Sequence, residues 1–285
     1  MHLWPRFAVV LAAACAFTQQ QPAPVEVVPV RGSAYLIRGG SGANAGLIVA
    51  AREAILIDAK MTEDTARAMF EAIRKVTPNP VRRVILTHSD GDHINGLAGF
   101  PKEVTVIAHA NARRDMEEAA KNPKFGFLSA WMPRELVSAD KRLDVEGVRV
   151  ELRHFGPAHT DGDLVVWLPA ERVAYVGDLL FIGRDPLIHR HKNGNSVGLV
   201  ATLKKLVELE ADTYVSGHAE PVGKDEIRKL IASLEATQDK VRSLIAQGRS
   251  LDEIKAAFGV TGAPATPGRR PGLVEVIYLE LTEKK

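Results

Sequence analysis

A single cysteine, Cys15, is all the chain has, which excludes an internal disulfide and any cysteine-rich zinc site. A metal bound by this protein has to be held by histidine and carboxylate. No block of like charge interrupts the sequence, and the formal net charge of its 285 residues is only +2. Nucleic acid is therefore not an expected partner. Nor is there an apolar run of the roughly 20 residues that a membrane-spanning helix requires. What remains is ordinary for a globular chain, with 46% apolar and 25% charged residues.

The first residues read as a targeting segment. His2 and Arg6 precede the apolar stretch Phe7 to Phe17, which has the length of a secretory h-region, and Ala14-Cys15-Ala16 offers a small-residue cleavage site. Leu11 to Cys15 also resembles a lipoprotein signal, which makes a lipid anchor at Cys15 a second reading. Residues 1–16 are thus expected to be a signal peptide, 17–24 a disordered lead-in and 25–285 one domain of an exported, periplasmic or secreted protein.

The densest chemistry lies in Thr87-His88-Ser89-Asp90-Gly91-Asp92-His93. Four metal-ligand types fall within six residues, directly after the apolar run Val84-Ile85-Leu86, which reads as a buried strand. Asp, Ser and Gly are also ordinary turn residues, but two His and two Asp at a strand end point to metal, with Gly91 lending backbone freedom. Ile94 to Phe100 is expected to start a helix.

Three more stretches place a ligand type just past a strand: His159 in Gly156 to Asp163, Asp178 in Val176-Gly177-Asp178, and His218 in Tyr214 to His218. Each alone is an unremarkable turn. Together they give seven ligands at four strand ends, able to converge on one edge of a sheet sandwich. Between them, strand-like runs (34–38, 46–50, 54–58, 104–108, 148–154, 163–168, 172–176, 213–216) alternate with helical ones (62–76, 111–121, 197–209, 224–247). Thr62 reads as an N-cap and Ser250-Leu251-Asp252-Glu253 as a capping box. Strands and helices mix throughout, which predicts one domain with sheets inside and helices outside.

In these motifs the chain resembles the metallo-β-lactamase-fold superfamily, whose pattern is a His-x-His-x-Asp-His loop, a Gly-x-x-His-Thr segment, a Gly-Asp or Gly-Cys segment and a late Gly-His. The resemblance implies an α+β, four-layer αββα sandwich with two divalent metal ions along one edge. Carried over, His88 and His159 would bind the first ion. Asp92, His93 and His218 would bind the second, with Asp178 bridging. Asp90 departs from the pattern, standing where the family usually has His, and is still expected to be a ligand. Zinc is the first expectation; with Asp92 and Asp178, Asp90 brings three carboxylates to the two ions, which makes the harder iron or manganese the next.

The resemblance implies a hydrolase in which a metal-bound hydroxide attacks an ester, thioester, lactone or amide of a small-molecule substrate, with Asp92 orienting the nucleophile. A β-lactam is disfavoured, because no Lys closely follows Asp178, though Arg184 and Lys192 are candidate substitutes. Two other classes stay open. One is a di-iron redox or oxygen-handling protein, suggested by Asp90; the other is a non-catalytic metal-binding module. His189 and His191 are read either as substrate contacts or as solvated loop residues, and His109 and His154 as structural. Phe125, Phe127 and Trp131 form either a lid or packing beneath a loop.

Overall fold

The computed structural model describes residues 23–260 and 270–283; the targeting segment, Cys15 and most of the lead-in lie outside them. Among the described residues, twelve strands form two sheets. The first has seven strands in sequential order: β1 (Glu26–Arg31), β2 (Ala34–Arg38), β3 (Ala45–Val49), β4 (Ala54–Ile57), β5 (Val81–Ile85), β6 (Thr105–His109) and β7 (Glu135–Val137). Pairing is antiparallel up to β4 and parallel from β4 onward. The second sheet runs in the order β12 (Thr213–Ser216), β11 (Val173–Gly177), β10 (Val165–Leu168), β9 (Val148–Arg153), β8 (Lys141–Val145), with only β11 and β12 parallel.

The layers follow from strand alternation. One set of residues, including Leu36, Ile48, Ile55, Ile85, Val150, Val166 and Tyr175, is buried between the two sheets. Their neighbours Ile37, Leu47 and Leu56 point the other way, against Ala66, Met69 and Ile73 of α1 (Glu63–Arg74) and Ala112 and Met116 of α3 (Ala110–Ala120). On the far side, Ala174, Val176 and Tyr214 pack on α4 (Ser196–Glu208), α5 (Lys224–Ala246), α6 (Leu251–Ala257) and α7 (Leu273–Thr282). The result is a four-layer αββα sandwich with three apolar interlayers.

Local signals behave as their chemistry requires. The Thr62 hydroxyl accepts from the Thr65 N–H to cap α1, and Ser250 and Glu253 form the reciprocal capping box of α6. Phe125 and Phe127 lie in a 3₁₀ segment (Pro123–Trp131) and pack with the buried Trp131 against the first interlayer, Trp131 beside Phe100. These aromatics are packing, not a lid. Four elements are not announced by the sequence: β1, interrupted by Pro29; β7, only three residues long; β8; and α7.

The metal-motif helix also begins earlier than its pattern suggests. A single turn, α2 (Gly91–Ile94), starts inside the motif and passes into a 3₁₀ turn at Asn95–Gly99. Gly91 sits there at an ordinary φ rather than a left-handed one. A Cβ there would meet the Asn95 amide at 2.7 Å, the far end of a side chain that can turn aside.

Candidate metal centre

The loops that follow β5, β9, β11 and β12 meet at one edge of the sandwich. They bring together all seven residues singled out from the motifs. His218 Nε2 lies 3.2 Å from Asp92 Oδ2 and 3.1 Å from Asp178 Oδ2; His93 Nε2 lies 3.2 Å from Asp178 Oδ1. His88, His159 and Asp178 form one group of converging ligand atoms, and Asp92, His93 and His218 another. His88, His93, His159, Asp90 and Asp178 are buried, while Asp92 and His218 reach towards solvent.

The three buried imidazoles have their tautomers fixed from behind. His93 Nδ1 donates to Asp58 Oδ2 at 2.7 Å, and His159 Nδ1 donates to the Leu187 carbonyl at 2.7 Å. Thr87 Oγ1 donates to Asp58 Oδ2 and therefore accepts from His88 Nδ1 at 3.0 Å. With each Nδ1 carrying the proton, each Nε2 presents a bare lone pair. His88 Nε2, His93 Nε2, His159 Nε2 and Asp178 Oδ1 are buried without a hydrogen-bond partner. Acceptors facing one another in a dry pocket are costly unless a cation lies between them. A divalent metal fits this donor set, and the hydrogen bonds behind it are of the kind that orient metal ligands.

The electrostatics divide these imidazoles: His88 is held neutral, while the carboxylates draw onto His93, His159 and His218 the positive charge that a metal ion would supply in its place. Burial, reinforced by His93 and His159, holds the His88 pKa well below the ordinary histidine value, so it stays neutral. Burial would also depress His93, but Asp178 and Asp58 overcome it and raise its pKa. Asp178 is held well below the carboxylate range against its burial, by His93 and His218. The Asp178 and Asp92 hydrogen bonds push His218 up to about 9.

Asp90 is the N-cap residue of α2, yet its side chain makes no capping bond. Instead Oδ1 accepts from Lys192 Nζ at 2.7 Å, and Oδ2 lies 2.5 Å from His189 Nε2, 3.4 Å from His159 Nε2 and 3.9 Å from His88 Nε2. Burial opposes its ionisation, but His159, His189, His88 and Lys192 hold the carboxyl below the usual range. Lys192 is thus occupied with Asp90 and Ser89 rather than standing free for a substrate carboxylate.

His189 is buried in the cluster, whereas His191 is exposed. Of the two readings open to this pair, solvated loop residue fits His191 and not His189, which no preceding strand marks as part of the cluster. His154 stacks on His109 with ring centroids 4.1 Å apart, away from the site, and His109 caps α3. A cleft of about 450 Å³ opens beside Asp90, Asp92, Asp178 and His218, walled by Phe181, Arg184, Arg270 and Leu273.

A layered sandwich with converging His and Asp loops at one edge defines a class. The family model described as the metallo-beta-lactamase superfamily matches residues 38–218, and the chain belongs to that superfamily. It is 26% identical over 192 residues to the 2,4-dinitroanisole O-demethylase subunit alpha of Nocardioides sp. (strain JS1661), covering 67% of this chain and 56% of that one. It is 23% identical over 228 residues to the linear primary-alkylsulfatase of Pseudomonas sp. (strain ATCC 19151), covering 65% and 43%. This chain therefore matches about half the length of these relatives.

Among solved structures, the fold is shared with the inverting sec-alkylsulfatase Pisa1 from Pseudomonas sp. The TM-score is 0.68 at 21% identity, over 90% of this chain and 50% of that one. It is shared also with a metallo-beta-lactamase from Pontibacter korlensis, with a TM-score of 0.63 at 17% identity, over 74% and 99%. Among the described residues, no helix is long and apolar enough to cross a membrane.

Proposed function

We propose that this protein is a metal-dependent hydrolase acting on the ester, thioester, lactone or amide bond of a small molecule. Two divalent ions are assigned to the edge cluster, with zinc as the first choice. His88, Asp90 and His159 serve one position; Asp92, His93 and His218 serve the other; Asp178 lies between. The observation that carries this reading is the set of buried, unpartnered acceptors on His88, His93, His159 and Asp178, with every Nδ1 already engaged behind the site.

Bound there, such ions supply Lewis acidity to the substrate oxygen and to water. The remaining work falls to the chain. Asp92 Oδ2 reaches the cleft and is held by His218 at 3.2 Å, which suits it to orient an attacking water and accept its proton. Phe181 and Leu273 give the cleft an apolar wall, and Arg184 lies over the Phe181 ring at 4.7 Å. Relatives named as an O-demethylase, alkylsulfatases and β-lactamases support a hydrolase without singling out one substrate.

The test joins elemental analysis of protein purified without chelator or nickel to turnover of a chromogenic ester, thioester, lactone and β-lactam panel. Two equivalents of zinc are expected, with metal-dependent turnover that Asp92→Ala lowers by about 10²-fold or more. Two equivalents of iron would favour the redox reading, metal without turnover a binding module, and no tight metal would defeat the assignment.

A further inference from the structure

We propose that His189 is a ligand of the first metal, supplying from a distant loop the imidazole that the Thr87–His93 motif lacks at residue 90. The inference rests on the metal-centre reading above and adds a residue to it. Asp90 Oδ2 faces three imidazole nitrogens, those of His189 at 2.5 Å, His159 at 3.4 Å and His88 at 3.9 Å. Asp90, His159 and His189 form a converging ligand group of their own. The His159 and His189 ring centroids are 4.7 Å apart, and His189 is only 2% exposed. Three imidazoles and one carboxylate facing a single point, with Asp178 beside them, make a donor set of the N/O type that suits zinc.

The position of His189 is built into the backbone. The His189 N–H donates to the His159 carbonyl at 2.9 Å, and His159 Nδ1 donates back to the Leu187 carbonyl at 2.7 Å. Further along, the Asp161 N–H donates to the Lys192 carbonyl and the Asn195 N–H to the Ala158 carbonyl, each at 2.9 Å. The two loops are laced together along their length, so His159 and His189 are presented as one unit.

Lys192 completes the substitution. Its ammonium occupies Asp90 Oδ1 and the Ser89 oxygens, which leaves Oδ2 turned to the imidazoles and offsets the carboxylate's charge. Asp90, Lys192 and His189 together therefore bring to the ion one imidazole and no net charge, the same balance as the histidine usually found at that place. The added negative charge that would favour harder ions over zinc is compensated locally. When His189 takes up the ion through Nε2, the proton leaves Nε2 and one is taken up at Nδ1, so the ring stays a neutral imidazole.

Zinc titration of the metal-free full chain against a competing chromogenic chelator tests this. Wild type is expected to take up two equivalents. His189→Ala should weaken one by about 100-fold or more, beyond the range typical of a residue that only supports a ligand, and leave the other unchanged. The retained equivalent shows that the variant is folded. His189→Gln, which keeps a donor for Asp90, should not restore the weakened site. Asp90→His combined with His189→Ala should bring it back to within about 10-fold of wild type, because the imidazole count is restored.

Two tight equivalents in His189→Ala, or wild-type affinity in His189→Gln, would overturn the assignment. Loss of both equivalents in His189→Ala would do so too, since the effect would not be local. Wild type that binds no zinc would instead defeat the underlying metal centre.

Discussion

Asp58 shows how much of the site is decided by a residue that no ligand motif contains. It takes a left-handed φ of 62° at the end of β4 and accepts from the Thr87 N–H, Thr87 Oγ1 and His93 Nδ1. Two imidazoles depend on it: His93 directly, and His88 through Thr87. Asp58→Asn keeps the shape but can present a donor to His93, which turns the ring's hydrogen bonding around. Metal affinity is expected to fall by about 10- to 100-fold, measured by chelator competition, with little change in the far-ultraviolet circular dichroism. The residues that the sequence makes legible are those lying immediately past a strand, where a ligand type stands out against apolar neighbours. Asp58 escaped because it reads as the last residue of a strand. His189 reads from the sequence only as a substrate contact or a solvated loop residue, because it lies among Gly, Asn and basic residues and meets the cluster only through space.

At the scale of elements, the site is set by how closely two loops can approach. Gly217 follows β12 and passes between the ligands. A Cβ there would lie 2.3 Å from Asp178 Oδ1 and 2.7 Å from His93 Cε1. Gly217→Ala is therefore expected to displace both side chains and to reduce zinc bound at the Asp92, His93 and His218 position below half an equivalent, by roughly 10-fold or more in affinity. Fold should be retained, because the strand itself is untouched; elemental analysis beside circular dichroism checks both. Elements with a full apolar period were readable from their residues, as α1, α4, α5 and β12 show. β1, β7 and β8 were not, since each is short or breaks its alternation and is fixed by the neighbour it pairs with. The one-turn helix α2 was misplaced for a related reason. Its cap residue has its carboxylate drawn away to Lys192 and His189, so the start of the turn carries no capping signature.

For the whole molecule, the αββα sandwich was legible through family resemblance and through the mixing of strands and helices, while the hydrogen bonds behind the imidazoles and the lacing of the two loops depend on tertiary approach. Metal should also be part of the stability of this sandwich. Ions that bind only the folded chain stabilise it by mass action, by about 4 kcal/mol per site at a thousandfold excess over Kd. Removing both with a chelator is expected to lower the melting temperature by roughly 15 °C, read by calorimetry and reversed on adding zinc.

The edge cluster draws on both sheets. His88, Asp92 and His93 leave the seven-stranded sheet, while His159, Asp178 and His218 leave the five-stranded one. Neither half of the chain holds a complete ligand set, and the pairs that must meet are distant in sequence. Contacts of such long range form late, after the chain entropy of closing the intervening loops has been met. On the proposed ligand set, tight metal capture therefore waits until the two sheets have docked, so that uptake of the ions marks the end of folding rather than its beginning.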